Sequence, residues 1–389
     1  MADNASLGAA KNAKNDEFYT QYSDIEAEMN AYVEYDPDVF RDKTILLPCD
    51  DPEWSNFTKY FATNFERFGL KKLISTSYAK GAGNRQLTLF EATSPLYDEQ
   101  KHETRGKLFT LTRDADRSGS IDTDDIEFSG YLEGDGDFRS AEVCKLRDES
   151  DIIITNPPFS LFREFLAWII AAGKQFICIG SKNVITYNDV FPLLKNNTIW
   201  LGPGFSGGNA YFRIAPEDAR TFASGVYDEA AGLVKFRNVG WFTNIDHGGR
   251  HEPLILDTMA HNLKFNKKLR SKLTGKNGTC NYLFYENCDA IEIPFVECIP
   301  SDYDGIMGVP ITFLDSYNPE QFEILGLSRD MDVPTKTGMP ATFLSDYFAQ
   351  GGTGSMQPGH PDLCYYDADG KAIVPYRRIM IRHKKGGNA

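Results

Sequence analysis

The segment Asp151-Ile-Ile-Ile-Thr155-Asn156-Pro157-Pro158-Phe159 constrains this chain more than any other. Its β-branched run suits a strand buried on both faces. Two prolines then end it. Neither can donate to a sheet ladder, and each fixes its φ. The residue before a proline is held extended. The strand therefore stops abruptly and displays three groups at its carboxyl end: the Asn156 carboxamide, the Pro157 carbonyl and the Phe159 ring. In an open α/β sheet that edge is where ligands bind. Two carbonyl acceptors beside a flat aromatic face fit a planar ring with an exocyclic amino group, and adenine is such a ring.

The flanking pattern predicts the sheet that holds this strand. Residues 44–49 read as a short apolar strand. Phe57, Tyr60, Phe61, Phe65 and Phe68 recur at helical spacing up to Gly69, which suits a helix end. Residues 72–78 read as a second strand. Alternation then breaks over 79–133, a polar stretch with β-like patches that reads as an inserted β-hairpin. It resumes with a helix at 140–149, the strand at 151–155, a helix at 160–172, a strand at 175–180, a helix at 188–195 and a strand at 198–201. Strands alternating with helices predict a Rossmann-like α/β fold with a doubly wound, mostly parallel sheet. On this reading 1–203 is the catalytic domain and 204–389, opening on the glycine-rich 204–208, is a C-terminal recognition region. Gly308-Val-Pro-Ile-Thr-Phe-Leu and Gly338-Met-Pro-Ala-Thr-Phe-Leu echo each other, but too briefly for a repeat fold.

The 389 residues carry a net charge of -14, which by itself argues against a nucleic-acid partner. Whole-chain charge is a poor guide where bases cluster. Lys264, Lys267, Lys268, Arg270, Lys272 and Lys276 fall in one stretch without an acid, and 377–385 is a second basic run. Taken alone, each is better read as a solvated face. The seven cysteines are scattered, with no Cys-x-x-Cys pair, so buried thiols in a reducing compartment are expected and a zinc site is not. The amino-terminal residues are polar, without a hydrophobic signal core, and no apolar run is long enough to span a bilayer. A cytoplasmic protein with no membrane partner is expected, in a prokaryotic cell or encoded by a phage.

Three further segments could carry chemistry. Asp50-Asp51-Pro52 closes the first strand, at the corner where nucleotides commonly bind. Carboxylates there suit a cationic cofactor, although taken alone they are better read as a plain helix N-cap. Gly134-Asp-Gly136-Asp137 precedes a helix, and Asp137 could hold an amino group of a cofactor or base; the alternative is a glycine-rich turn. Residues 114–125 imitate a calcium loop, with oxygen side chains at positions 1, 3, 5 and 9 and Gly119 at 6. Position 12 is Asp125 rather than glutamate and both flanks read as β, so an acidic turn is preferred and no metal is assigned. His247 and His251 stand four apart across two glycines, which disfavours the helix that would align them for zinc.

Taken together, Asp16-Glu-Phe18-Tyr19-Thr20-Gln-Tyr22, Cys49-Asp50-Asp51-Pro52 with Ser55-Asn-Phe57, residues 134–140, and Thr155-Asn156-Pro157-Pro158-Phe159-Ser-Leu-Phe-Arg163 resemble the adenine-specific DNA methyltransferases of the EcoRI modification type. Trp241-Phe-Thr-Asn-Ile-Asp-His247 also looks familial. The resemblance implies a class I fold dependent on S-adenosyl-L-methionine, transfer to adenine N6, double-stranded DNA as partner, and a target base flipped from the duplex. It implies catalytic roles for Asn156, Pro157, Pro158 and Phe159. Phe18, Tyr19 and Thr20 would line the methionine end of the cofactor, with Asp51 and Asp50 facing its amino group. In that setting Lys264, Lys267, Lys268, Arg270 and Lys272 become candidates for DNA contact. A monomer is expected, and GAATTC is a candidate site. The second strand ends in Ser75-Thr-Ser-Tyr78, with no acid to assign to a cofactor ribose. Two other readings stay open on the residues: a protein-glutamine methyltransferase, which shares the Asn-Pro-Pro-aromatic pattern, and an inactive DNA-binding homologue.

Overall fold

The chain is represented by a computed structural model that describes residues 19–48, 50, 55–79, 94–205, 209–213, 226–228 and 230–384. It divides into two compact units. One runs to Val184 and resumes over Ile199–Gly248; the other comprises Ile185–Thr198 and the chain from Gly249 onward.

The first unit is built on an eight-stranded sheet. Its centre is four parallel strands: β3 (Lys72–Ser77), β2 (Thr44–Leu47), β6 (Ile152–Thr155) and β7 (Gln175–Ser181), in that spatial order. Every residue of β2 and of β6 is buried, because helices cover both faces, and this is why both strands read as unbroken apolar runs. On one face α1 (Tyr22–Tyr35) and α2 (Asn56–Thr63) bring Ile25, Met29, Tyr32, Phe57, Tyr60 and Phe61 onto Ile45, Leu47, Ile152 and Ile154. On the other, α3 (Ala141–Glu149) and α4 (Phe162–Ala171) follow the sheet, and the Phe162 ring meets Phe242 at 5.0 Å. Each fully buried large apolar side chain of this kind contributes roughly 1.5–3 kcal/mol.

The rims differ from expectation. The 79–133 segment does hold an antiparallel strand pair, and that pair is part of the main sheet. Its strands β4 (Lys107–Leu111) and β5 (Glu127–Tyr131) extend the sheet antiparallel beyond β3, while 80–93 lie outside the described residues. At the opposite edge, β12 (Val239–Thr243) pairs antiparallel with β7 and with the short β8 (Trp200–Leu201). The sheet is therefore mixed rather than mostly parallel. Helix–strand alternation reports only the parallel centre, and the antiparallel rims come from non-local pairings that alternation does not encode. The aromatic helix predicted over 55–69 also breaks in two. α2 stops at Asn64, and a single turn, Phe65–Phe68, ends at Gly69 with φ of 63°.

A second, four-stranded sheet belongs to the same unit. It joins β1 (Tyr19–Thr20), β9 (Asn209–Arg213), β11 (Leu233–Arg237) and β10 (Tyr227–Asp228), all antiparallel. The expected boundary after 203 thus falls inside this unit, since β9 to β12 pack with the amino-terminal part. β12 is buried along its whole length, Trp241 and Phe242 included.

The second unit has a five-stranded sheet in the order β13 (Leu283–Tyr285), β14 (Cys288–Glu292), β15 (Ile306–Pro310), β17 (Arg378–His383), β16 (Phe322–Leu327). Arg378 pairs with buried Glu292 at 2.5 Å and Arg382 with Glu323 at 2.7 Å. Arg378 and Arg382 of the carboxy-terminal basic run are thereby neutralised within their own sheet; Lys385 lies outside the described residues. The two echoing segments behave alike locally. Pro310 and Pro340 each precede a helical turn that buries a phenylalanine, Phe313 and Phe343. Among the described residues no helix is long and apolar enough to cross a membrane, and all six described cysteines are free, four of them buried.

Candidate active site and nucleic-acid interface

From β2 the chain crosses to β3 on one side and later to β6 and β7 on the other. The order of winding reverses at β2, so a crevice opens outside the carboxyl ends of β2 and β6. The residues there are held by a compact hydrogen-bond network. The Thr155 hydroxyl, at the end of β6, lies 2.6 Å from Asp50 Oδ2 and 2.8 Å from the Pro48 carbonyl and donates between them. The Ser55 hydroxyl donates to Asp50 Oδ1 at 2.7 Å and accepts the Phe57 and Thr58 amides as the N-cap of α2. The Asp50 carbonyl accepts from the hydroxyls of Thr58 and Ser75. Asp50 is only 8% exposed. Its carboxylate therefore ties the end of β2 to the end of β6 and the start of α2, and the helix cap expected at this corner is Ser55.

The amino-terminal motif meets the Asn-Pro-Pro-Phe motif here. Asn156 Nδ2 donates to Thr20 Oγ1 at 3.4 Å, and the Thr20 carbonyl accepts from Asn56 Nδ2 at 2.7 Å. Three segments far apart in sequence thus converge on one point. Tyr19 pairs with Arg213 in the second sheet. Phe18, Asp51, Cys49 and Pro52 lie outside the described residues. Pro157 is buried, and Pro158, with φ of -53°, leads into a tight turn over Phe159–Leu161. The Phe159 ring stands edge-on to Phe212 at 6.0 Å and to Phe236 at 5.8 Å, both from the second sheet. Phe212 and Phe236 were not legible as site residues, because only the register of β9 against β11 brings them there.

Asp137 is not poised as an isolated carboxylate. Its oxygens accept from the Arg139 side chain at 2.9 and 2.6 Å and from the Arg139 amide at 2.8 Å, and Arg139 reaches on to Glu164. The Arg139 hydrogen bonds hold the Asp137 carboxyl below its usual range. The turn itself is a close approach of backbones. Gly136 has φ of 88°, and a Cβ there would lie 2.4 Å from the Ser77 carbonyl. In the 114–125 turn the carboxylates of Asp114, Asp116 and Asp125 converge, but Asp125 accepts the amides of Ala115, Asp116 and Asp122. Asp114 likewise accepts the amides of Ser118 and Gly119. His247 Nε2 lies 3.0 Å from the Leu201 carbonyl, and His251 faces Glu320.

One titratable group was missed. Glu28 in α1 is fully buried; its Oε1 accepts from the Tyr32 hydroxyl at 2.7 Å and its Oε2 from the Gly204 amide at 2.6 Å. Burial pushes its carboxyl up to about 8 against those two hydrogen bonds. The available signal was its place on the stripe Ile25, Met29, Tyr32, where a glutamate interrupts an otherwise apolar face.

In the second unit the basic stretch forms two short helices, α5 (Met259–Phe265) and α6 (Lys267–Leu273). Leu269 and Leu273 are buried, so Lys264, Lys267, Lys268, Arg270 and Lys272 all face outward. Lys268 pairs with Glu297 at 2.7 Å, and the Arg270 guanidinium caps the Lys264 carbonyl at 3.2 Å. Among the described residues no ion pair involves Lys264, Lys267 or Lys272.

Comparison with known proteins agrees with this architecture. The profile described as adenine-specific methyltransferase EcoRI matches residues 6–384. The chain is 40% identical over 333 residues to the type II methyltransferase M.EcoRI of Escherichia coli, covering 85% of this chain and 91% of that protein. It is 32% identical to the type II methyltransferases M.MgeORF184P of Mycoplasma genitalium and M.MpnI of Mycoplasma pneumoniae, covering 81% of this chain in each case and 84% and 83% of those proteins. No solved structure matches the chain.

Proposed function

Since the chain belongs to the adenine-specific methyltransferase EcoRI family and is a DNA adenine methyltransferase, we propose that it uses S-adenosyl-L-methionine and methylates N6 of a flipped adenine at the crevice formed by Thr20, Asn56 and Asn156. The observation that carries this reading is the Asn156–Thr20 hydrogen bond. It commits the carboxamide nitrogen to the amino-terminal motif and so turns the carbonyl oxygen the other way, as an acceptor for an amino group. The donor set fits the cofactor: hydroxyl, amide and backbone carbonyl groups converge at the switch point of the sheet, where a nucleotide-like ligand binds in this fold class. When bound, the cofactor supplies an electrophilic methyl on a sulfonium.

The chain's own residues then do three things. Asn156 Oδ1 and the Pro157 carbonyl accept hydrogen bonds from the two N6–H groups, which draws the nitrogen lone pair out of conjugation with the ring and leaves it directed at the methyl. Phe159, braced edge-on by Phe212 and Phe236, offers its ring to the flipped base. Thr155, Asp50 and Ser55 hold the ends of β6 and α2 in fixed register, and such orientation supplies much of the rate in a transfer between preformed reactants. Thr20 and Tyr19, with Phe18 and Asp51, border the cofactor; Asp50 acts as a brace for that border, and Asp137 through its pairing with Arg139. The outward cations of α5 and α6 contact DNA phosphate, and the second unit carries the target-recognition residues.

The test is transfer of a tritiated methyl group to DNA, followed by mapping of N6-methyladenine. Asn156→Ala is expected to keep cofactor binding and to lose at least about a hundredfold in turnover, the scale of removing one preorganised polar contact at a reacting group. Near-native turnover by this variant would remove Asn156 from the chemistry.

A further inference from the structure

The second sheet of the first unit has two unlike faces. Ala210, Phe212 and Val234 are buried and, with Phe236, point inward toward Phe159. Alternation along the strands puts Asn209, Tyr211 and Arg213 of β9, and Leu233, Lys235 and Arg237 of β11, on the other side. The register pairs Tyr211 with Lys235 and Asn209 with Arg237. Tyr211 is 41% exposed, and Lys235 Nζ sits 5.6 Å over its ring. Among the described residues, no carboxylate pairs with Arg213, Lys235 or Arg237. A groove of about 590 Å³ opens here, lined among others by Tyr211, Tyr227, Leu233 and Lys235, and among its described lining residues Asp228 is the one acid. In a chain of net charge -14, three cations and an exposed tyrosine on one small sheet face are a concentrated exception.

We propose that this outward face is a DNA-contacting surface in its own right, which holds the phosphodiester backbone of the strand from which the target adenine is flipped. This rests on the DNA-methylation reading above. The sheet is one backbone layer thick. Phe212 touches Phe159 from its inner side, and the neighbouring Tyr211 and Arg213 project from its outer side. On this proposal a base that reaches Phe159 passes the edge of this sheet, and the phosphates flanking it lie against the outer side. Cations supply the sequence-independent attraction, and the exposed Tyr211 ring offers a stacking surface for an unpaired neighbouring base.

The experiment uses the full-length protein and a plasmid fragment that the wild type methylates. Affinity is measured by fluorescence anisotropy over a salt series for the wild type and for the Arg213→Gln/Lys235→Gln/Arg237→Gln triple variant. Removing three cations that each neutralise a phosphate is expected to flatten the slope of log K against log salt by about 2.7 and to weaken binding more than tenfold at low salt. Cofactor binding should be unchanged. An unaltered slope and affinity in a folded variant would overturn the proposal. If the variant does not fold, acetylation footprinting of the wild type decides: Lys235 must be protected by DNA, and equal labelling with and without DNA overturns the assignment. Absence of methyl transfer by the wild type would instead refute the methylation reading itself.

Discussion

Glu28→Gln separates the electrostatic cost of the buried carboxyl from its hydrogen bonds. In the wild type the carboxyl is fully buried, and its pKa rises from an ordinary 4.5 to about 8, chiefly by desolvation. The groups around it are Tyr32, His247 edge-on to Tyr32 at 5.6 Å, and Cys178 and Thr243 near the Tyr32 hydroxyl. Burial also raises Tyr32 and Cys178, so both stay neutral near neutral pH and neither offsets a charge on Glu28. Because the folded pKa lies above the unfolded one, Glu28 favours folding fully only below about 4.5, and that contribution is lost as pH rises through about 8. At about 1.4 kcal/mol per unit, the full loss is roughly 5 kcal/mol, of which about 1.4 kcal/mol falls between pH 7 and 9. Glutamine imitates the neutral acid. Its carbonyl can accept from the Gly204 amide, and its NH₂ can donate to the Tyr32 oxygen. The variant should therefore match the wild type below about pH 4.5, exceed its stability by about 2 kcal/mol at pH 6 and by about 5 kcal/mol at pH 9. Urea unfolding of both proteins between pH 5 and 9 measures this directly. Parallel stability–pH curves would refute the reasoning, since they would mean that Glu28 is already ionised, or solvated, in the folded protein.

Phe159→Ala should weaken capture of the extrahelical base, since stacking on an aromatic ring is worth about 1–3 kcal/mol per base; the loss should be smaller on a duplex with a mismatched target, and equal defects on both substrates would exclude stacking. Thr155→Val removes a donor from buried Asp50 and should destabilise by about 1–3 kcal/mol, the cost of an unsatisfied buried acceptor, read as a lower urea midpoint with unchanged slope. Neutralising Lys267, Lys268 and Arg270 together should flatten the salt dependence of DNA binding by about 0.9 for each phosphate that no longer meets a cation. Lys268 should count least, because Glu297 already pairs with it, and an unchanged slope would remove α6 from the interface.

The place of the Asn-Pro-Pro-Phe segment in the fold was readable from the sequence. A β-branched run closed by two prolines can end only one way, so the position of Asn156 and Phe159 at a strand's carboxyl end followed from local backbone chemistry. The parallel centre of the sheet followed from alternating periods, because helices on both faces require buried strands between them. What periodicity could not supply was pairing between distant segments. Thr20 meets Asn156, β9 and β11 set Phe212 and Phe236 around Phe159, and β4, β5 and β12 turn a parallel sheet into a mixed one. Each of these rests on residues far apart in the chain, whose partners leave no local mark. The same holds for charge. In the sequence Asp50 and Asp137 were two free acids at promising turns and Glu28 was an ordinary helix residue. Only the fold gave Asp50 to Ser55 and Thr155, gave Asp137 to Arg139, and stripped Glu28 of water. A side chain's type is local, but its solvation and its partners are set by what packs against it.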